Sequence, residues 1–398
     1  MISPAKLRAA AKRYEKDMVK FARDLIAIPS FSCQEGAVVK RIAQEMRKVG
    51  FDNVKVDRLG NIIGRIGSTG PKIMLDAHID TVGIGDRKAW KWDPFKGKLE
   101  GGKIYGRGAS DQKLSMVSMV YGGKLIKDFG LGNGFTYLAV GSCQEEDCDG
   151  LPLLHLIKKE GVKPDYVVIT EATTLNVYRG HRGRMEISVV AKGRSCHASA
   201  PERGINAVVN MTDVIREVTS LNKRLKKDRF LGKGTVVVTK VECKTPSLNA
   251  VPDECTIYLD RRLTVGESMA SALREVRGLP SVKRHKAVVE VLQYEAVSWK
   301  GLKVSQEKYF PTWCLPEGHK LVQAGIKAGQ VALGRKPKVS KWVFSTNGVA
   351  TAGRLGIPTI GFGPSDEVMA HTVGEYMPVD HLIKSAVFYA AIPQYLKK

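Results

Sequence analysis

The chain reads as an α/β protein in which a largely parallel sheet lies between helices and is interrupted by an inserted ferredoxin-like (βαββαβ) unit. Three observations predict this. At 398 residues the chain exceeds the size at which a single core keeps growing, so two domains are expected. From Phe51 to about Tyr178, short apolar runs alternate with helical stretches, the layout of a sheet covered by helices. From about Arg179 to Ala296 the rhythm changes to strand, helix, strand, strand, helix, strand. The expected division is therefore 1–178 with 297–398 as one domain and 179–296 as the insert.

The elements follow in order. Leu7, Tyr14, Met18, Phe21 and Leu25 recur near helical spacing and predict one amphipathic N-terminal helix. Strands are expected at Asn61–Ile66, Ile73–Ala77, Phe135–Cys143 and Tyr166–Thr170, with helices at Gln112–Phe129 and Gly150–Glu160. In the insert, Arg184–Lys192, Gly234–Cys243, Asp253–Leu263 and Lys286–Tyr294 read as strands, and Gly204–Lys227 and Gly266–Gly278 as helices. The first pattern then resumes with a helix around His319–Ala332 and a strand at Ile357–Gly361.

Composition excludes several classes. Hydrophobic content of 43% with 26% charged residues is that of a globular protein. No apolar run approaches the ~18 residues of a membrane span and no signal-peptide core is present, so no membrane partner and a cytoplasmic location are expected. The seven cysteines are an odd, scattered set without zinc-knuckle spacing, which points to free thiols. The net charge of +23 comes without a zinc-finger spacing or an RNP-like motif, so no nucleic-acid partner is expected. Its densest run, Asn222 to Arg229, reads as a solvated helix end, and the excess can draw in an anionic small molecule.

Chemistry concentrates where the apolar strands end. Lys72-Ile-Met-Leu-Asp-Ala-His-Ile-Asp80 finishes in His-x-Asp, and residues two apart on an extended chain share a face. His78 can then bind a metal while Asp80 fixes its imidazole. Asp111 follows Gly106-Arg-Gly108 and precedes a helix, where it also reads as an N-cap. Glu145, Glu146 and Asp147 are consecutive acids after a buried strand, an arrangement that repels itself unless cations neutralise it. Glu171 ends the run Tyr166-Val-Val-Ile-Thr, where an unpaired carboxylate is costly, and His371 lies in a loop after another strand. If Asp111, Glu146 and Glu171 are ligands, their three charges against the four of two divalent ions leave one positive charge for a hydroxide to cancel. Imidazole with carboxylate favours zinc, with cobalt or manganese as the other candidates. Two such ions roughly 3.5–4 Å apart would acidify a shared water, with Glu145 as its general base. The chemistry indicated is metal-assisted hydrolysis.

These residues resemble, in order and over nearly the whole chain, the dinuclear zinc amidohydrolases that include acetylornithine deacetylase, succinyl-diaminopimelate desuccinylase, aminoacylase and glutamate carboxypeptidase. The resemblance implies one ion held by His78, Asp111 and Glu171 and another by Asp111, Glu146 and His371. It also implies a cis Asp111–Gln112 peptide. Stretches such as Gln144-Glu-Glu-Asp-Cys-Asp-Gly150 and Phe344-Ser-Thr-Asn-Gly348 are most similar to the branch linked to selenium metabolism (YgeY-like), a match that does not settle specificity. In the family the insert is a lid and dimerisation domain. Ser195-Cys-His197 resembles the lid motif whose histidine reaches the partner subunit's site, so His197 is expected to support the oxyanion, with helix capping as its other reading. Asn249 and Arg262 resemble carboxylate-binding lid residues, and Arg261 competes with Arg262. Ser345, Thr346 and Asn347 occupy a substrate-binding loop that is more often acidic in the family. The implied function is hydrolysis of an amide-type C–N bond in a small N-acyl or N-carbamoyl amino acid or short peptide, by a homodimer. The alternative is an inactive binder of amino-acid derivatives.

Overall fold

The computed structural model describes residues 3–397. Its main sheet has nine strands, and four of them are adjacent and parallel: Thr136–Ser142, Lys72–His78, Tyr166–Ile169 and Thr359–Gly361. Antiparallel strands Ile62–Ile66 and Asn53–Val56 extend one side, and Val177–His181 lies on the other. The period of two divides each parallel strand between two cores. Tyr137 and Ala139, with Ile73, Leu75, Ala77 and Val168, pack beneath the helices Glu15–Ile26, Gly36–Lys48, Lys113–Asp128, Lys320–Leu333 and Val379–Ala391. Leu138, Val140, Met74, Val167 and Ile169 pack on the opposite face with Leu153, Leu156, Trp313 and Trp342. Burial on both faces is why these strands are continuously apolar.

A second sheet is wholly antiparallel, in the order Thr235–Lys244, Glu254–Leu263, Gly183–Lys192, Val288–Val291. With the helices Ala207–Arg224 and Met269–Arg277 covering one face, it has the order and layering of a ferredoxin-like unit. Met185, Ile187, Val189 and Ala191 point to the helices, together with Cys255, Ile257 and Leu259. Arg261 falls on that same inward face and is fully buried, donating to Glu267 and, at 2.9 Å, to Glu275. Arg262, one residue on, projects from the other face.

Two features differ from expectation. The N-terminal helix is two helices, Pro4–Arg13 and Glu15–Ile26, because Tyr14 leaves helical geometry (ψ 3°) and turns the chain. A hairpin of Gln293–Val297 with Lys303–Glu307 runs across position 296, where the sequence placed a boundary. Its alternation is masked by polar residues on the exposed face (burial alternates along 303–307), and its Tyr294 and Gln306 brace the 144–149 loop: the Tyr294 hydroxyl lies 3.3 Å from Asp147, and Gln306 donates to the Asp149 carbonyl at 3.3 Å.

Replacing Arg261 by Met would strand the buried carboxylate of Glu267, in the turn after Glu254–Leu263, without its cation. The expected loss is about 3–5 kcal/mol of unfolding free energy, read in calorimetry as a lowered melting temperature; an unchanged transition would contradict this account of Arg261.

Candidate metal centre

All four parallel strands deliver donors from their carboxyl ends, where ligands gather in open α/β sheets. His78 is the last residue of its strand, and Glu145 and Glu146 follow the strand ending at Ser142. Glu171 follows the strand ending at Ile169, and His371 lies in the loop after Thr359–Gly361. Asp111 arrives separately, on the loop before the helix Lys113–Asp128. It stands between the two imidazoles: Oδ1 lies 2.9 Å from His78 Nε2, and Oδ2 lies 3.1 Å from His371 Nε2. His371 Nε2 is also 3.1 Å from Glu146 Oε2, and His78 Nε2 is 3.5 Å from Glu171 and 3.9 Å from Glu145. Both His371 (φ 60°) and Gln144 (φ 59°), beside the acidic pair, adopt left-handed backbone, which non-glycine residues seldom hold except where surrounding contacts impose it.

Asp80 is fully buried, but its carboxylate serves the acidic loop more than the histidine. It accepts from Ser32 Oγ at 2.7 Å and from the backbone N–H groups of Glu145 and Glu146 at 3.2 and 3.1 Å. His78 Nδ1 lies 3.0 Å from the Asp80 carbonyl and 3.6 Å from its carboxylate. An N–H at Nδ1 bonded to that carbonyl leaves the Nε2 lone pair facing the carboxylates.

Burial and crowding set the electrostatics of the cluster. Burial, with repulsion from neighbouring carboxylates, raises Glu145 and Glu171 well above the usual range. Burial opposes a charge on His78, but Glu145 and Glu171 outweigh it and raise its pKa strongly. Asp111 is held low despite burial, because both histidines bond to it. Two overlapping groups, His78 with Glu145 and Glu171, and His78 with Asp111 and Glu146, bring donor atoms within 4.8 Å of one another. Buried oxygen and imidazole donors at this spacing fit divalent ions.

A cavity of about 290 Å³ opens over the cluster, lined also by Asp149, Arg184, Arg262, Phe344, Ser345 and Ala370. Ser345 and Arg262 therefore face the cavity. Thr346 and Asn347 do not: both are buried behind the wall. The Asn347 amide donates to Asp76 at 2.9 Å and to Ser142 at 3.0 Å, and its oxygen accepts from the Gly150 N–H at 2.7 Å. Thr346 donates its N–H to His181 at 3.1 Å. These residues fasten the strands to the acidic loop rather than facing a ligand. Asn249 and His197 are exposed on the insert and outside the cavity wall; His197 Nδ1 pairs with Ser199, so it caps no helix. Arg261, turned inward to Glu267 and Glu275, does not reach the cavity, whereas Arg262 lines it. The Asp111–Gln112 peptide is trans, as are all bonds among the described residues. Trans is the default for a non-proline bond, and the loop seats Asp111 between the imidazoles without leaving it.

Sequence reading missed Glu375. It is fully buried, pairs with Arg107 at 2.6 Å and accepts from the N–H groups of Ser110 at 2.7 Å and Asp111 at 3.0 Å. No local motif marks it, since its partners lie more than 260 positions away. Asp149 and Arg184 were also unassigned; strict alternation along Arg184–Lys192 was the available signal for Arg184.

Fold and donor set together define a metal-dependent hydrolase of the α/β class with an inserted antiparallel unit. The chain belongs to the family described as Peptidase family M20/M25/M40, whose model matches residues 74–395. It is 51% identical to the uncharacterised protein YgeY of Escherichia coli K12, over 96% of this chain and 95% of that one. It is 26% identical to a succinyl-diaminopimelate desuccinylase of Dinoroseobacter shibae, over 95% and 96%. Among solved structures, the aminopeptidase PepT from Bacillus cereus shares its fold, with a TM-score of 0.74 at 20% identity, covering 96% of this chain and 99% of that one. No helix among the described residues is long and apolar enough to cross a membrane.

Glu375→Gln should loosen the loop that presents Asp111 and lower metal affinity by about 10–100-fold. Chelator competition measures this; unaltered affinity would show that Glu375 does not position Asp111.

Proposed function

We propose that the protein hydrolyses an amide-type C–N bond in a small N-acyl or N-carbamoyl amino acid or short peptide. The observation that carries this reading is the placement of Asp111 between His78 and His371, with Glu145 in the cavity wall beside them. His78, Asp111 and Glu171 would hold one divalent ion, most simply zinc with cobalt or manganese as substitutes, and Asp111, Glu146 and His371 a second. Such ions, when bound, make a water more acidic and polarise a carbonyl.

The remaining work falls to the chain. Glu145, raised by burial and by its carboxylate neighbours, is suited to take the proton of the attacking water and return it to the leaving nitrogen. Asp80 holds the Glu145 and Glu146 backbone, so base and ligand keep a fixed relation. Arg262 projects into the cavity and meets a substrate carboxylate. The cavity's size suits an amino-acid derivative rather than a folded protein.

His197 lies outside its own chain's cavity, so its oxyanion role requires a second copy. The edge strand Thr235–Lys244, with Val237 and Val241 exposed, offers an unpaired rim through which two inserts can join. Sedimentation should give a dimer; a monomer with full activity removes His197, and with it Asn249, from the reaction.

N-acyl, N-carbamoyl and dipeptide substrates, tested with zinc, cobalt and manganese, should reveal turnover in at least one class. Glu145→Gln should lower kcat by about 10²–10⁴-fold with metal content unchanged. No hydrolysis by the loaded protein would favour an inactive binder of the same fold, and an undiminished Glu145→Gln rate would remove Glu145 as base.

A further inference from the structure

The outer face of the inserted sheet carries an unusual pair. Arg184 and Arg262 are direct cross-strand partners in the antiparallel register of Glu254–Leu263 with Gly183–Lys192, and both line the cavity over the metal centre. Like charges placed opposite one another destabilise a sheet unless anions lie between or before them. Neighbouring anions account for part of the balance. Asp260 takes two hydrogen bonds from Arg262, at 2.7 and 3.0 Å, and Glu186 is bonded to Lys308 at 2.9 Å, standing 3.7 Å from Arg184.

Arg184 is the less satisfied of the two. Its only side-chain hydrogen bond among the described residues goes from one terminal nitrogen to Asp149 at 3.3 Å, and its Nε is buried without a partner. Its plane is held over the Phe310 ring, 4.6 Å from the centroid, and Asp149 is itself anchored by Ser345. The guanidinium is therefore oriented with most of its donors unspent, and four-fifths of the side chain is withdrawn from solvent. A buried donor left unmatched is expensive, whereas a fork that receives a carboxylate is strongly favourable.

We infer that Arg184 is a specificity-determining residue, which with Arg262 clamps a free carboxylate of the substrate across the two strands. The inference rests on the hydrolase reading, which already sets a substrate carboxylate against Arg262, and adds Arg184 as the second half of that contact. Asp149 and Ser345 act through Arg184, holding its plane towards the cavity.

The test is calorimetric titration of the zinc-loaded protein carrying Glu145→Gln, with N-acetyl-L-alanine, N-carbamoyl-L-alanine and their carboxamides as probes. The acids should bind more tightly than the carboxamides. Adding Arg184→Met should weaken the acids by about tenfold or more and leave the carboxamides unchanged. Arg184→Lys, which keeps the charge and stem but not the fork, should fall between them and guards against a variant that fails to fold. Equal weakening of acid and amide, no weakening of either, or no binding by any probe overturns the clamp. Hydrolysis failing across the substrate panel while the acid–amide difference persists would remove the reaction and leave the clamp. The converse result would remove the clamp alone.

Discussion

The structure depends on gathering carboxylates and imidazoles at one end of a parallel sheet. Asp111 touches both histidines, and Glu145, Glu146 and Glu171 crowd the same space. Buried acids at this spacing repel one another and resist ionisation, so the arrangement depends on the surrounding chain to hold it. That tension explains why so many of the supporting residues are also buried and polar.

The support is built from long-range polar contacts rather than from packing alone. Glu375 gathers the backbone of the 107–111 loop with its two oxygens. Asp80 does the same for the acidic pair. Asn347 ties two parallel strands to the Gly150 turn, and the hairpin of residues 293–307 presses on the loop from outside. An amide at position 347 supplies donor and acceptor together, which a carboxylate could not do beside the buried Asp76. Asn347 therefore serves architecture.

The inserted sheet contributes by register. Its helix-covered face takes Arg261 into a buried ion pair, while the opposite face presents Arg184 and Arg262 to the cavity. Acidic and basic walls thus come from different parts of the chain, one from loops of the main sheet and the other from strands of the insert. The cavity is formed only when both are assembled.

Much of this was legible in the residues themselves. Continuous apolar runs ending in His78, in the acids after Ser142 and in Glu171 announce buried parallel strands with polar exits, because a strand covered on both faces has no other way to present a charge. The βαββαβ rhythm of the insert was equally readable from alternation. Alternation of Cys255, Ile257, Leu259 and Leu263 already puts Arg261 on the apolar face and Arg262 on the other, but only tertiary structure supplied the buried partners, Glu267 and Glu275, that let a charge sit there. It also decided that Thr346 and Asn347 brace rather than bind, and that Glu375 seats Asp111. Those roles come from contacts across one hundred to nearly three hundred positions, which a linear pattern does not encode.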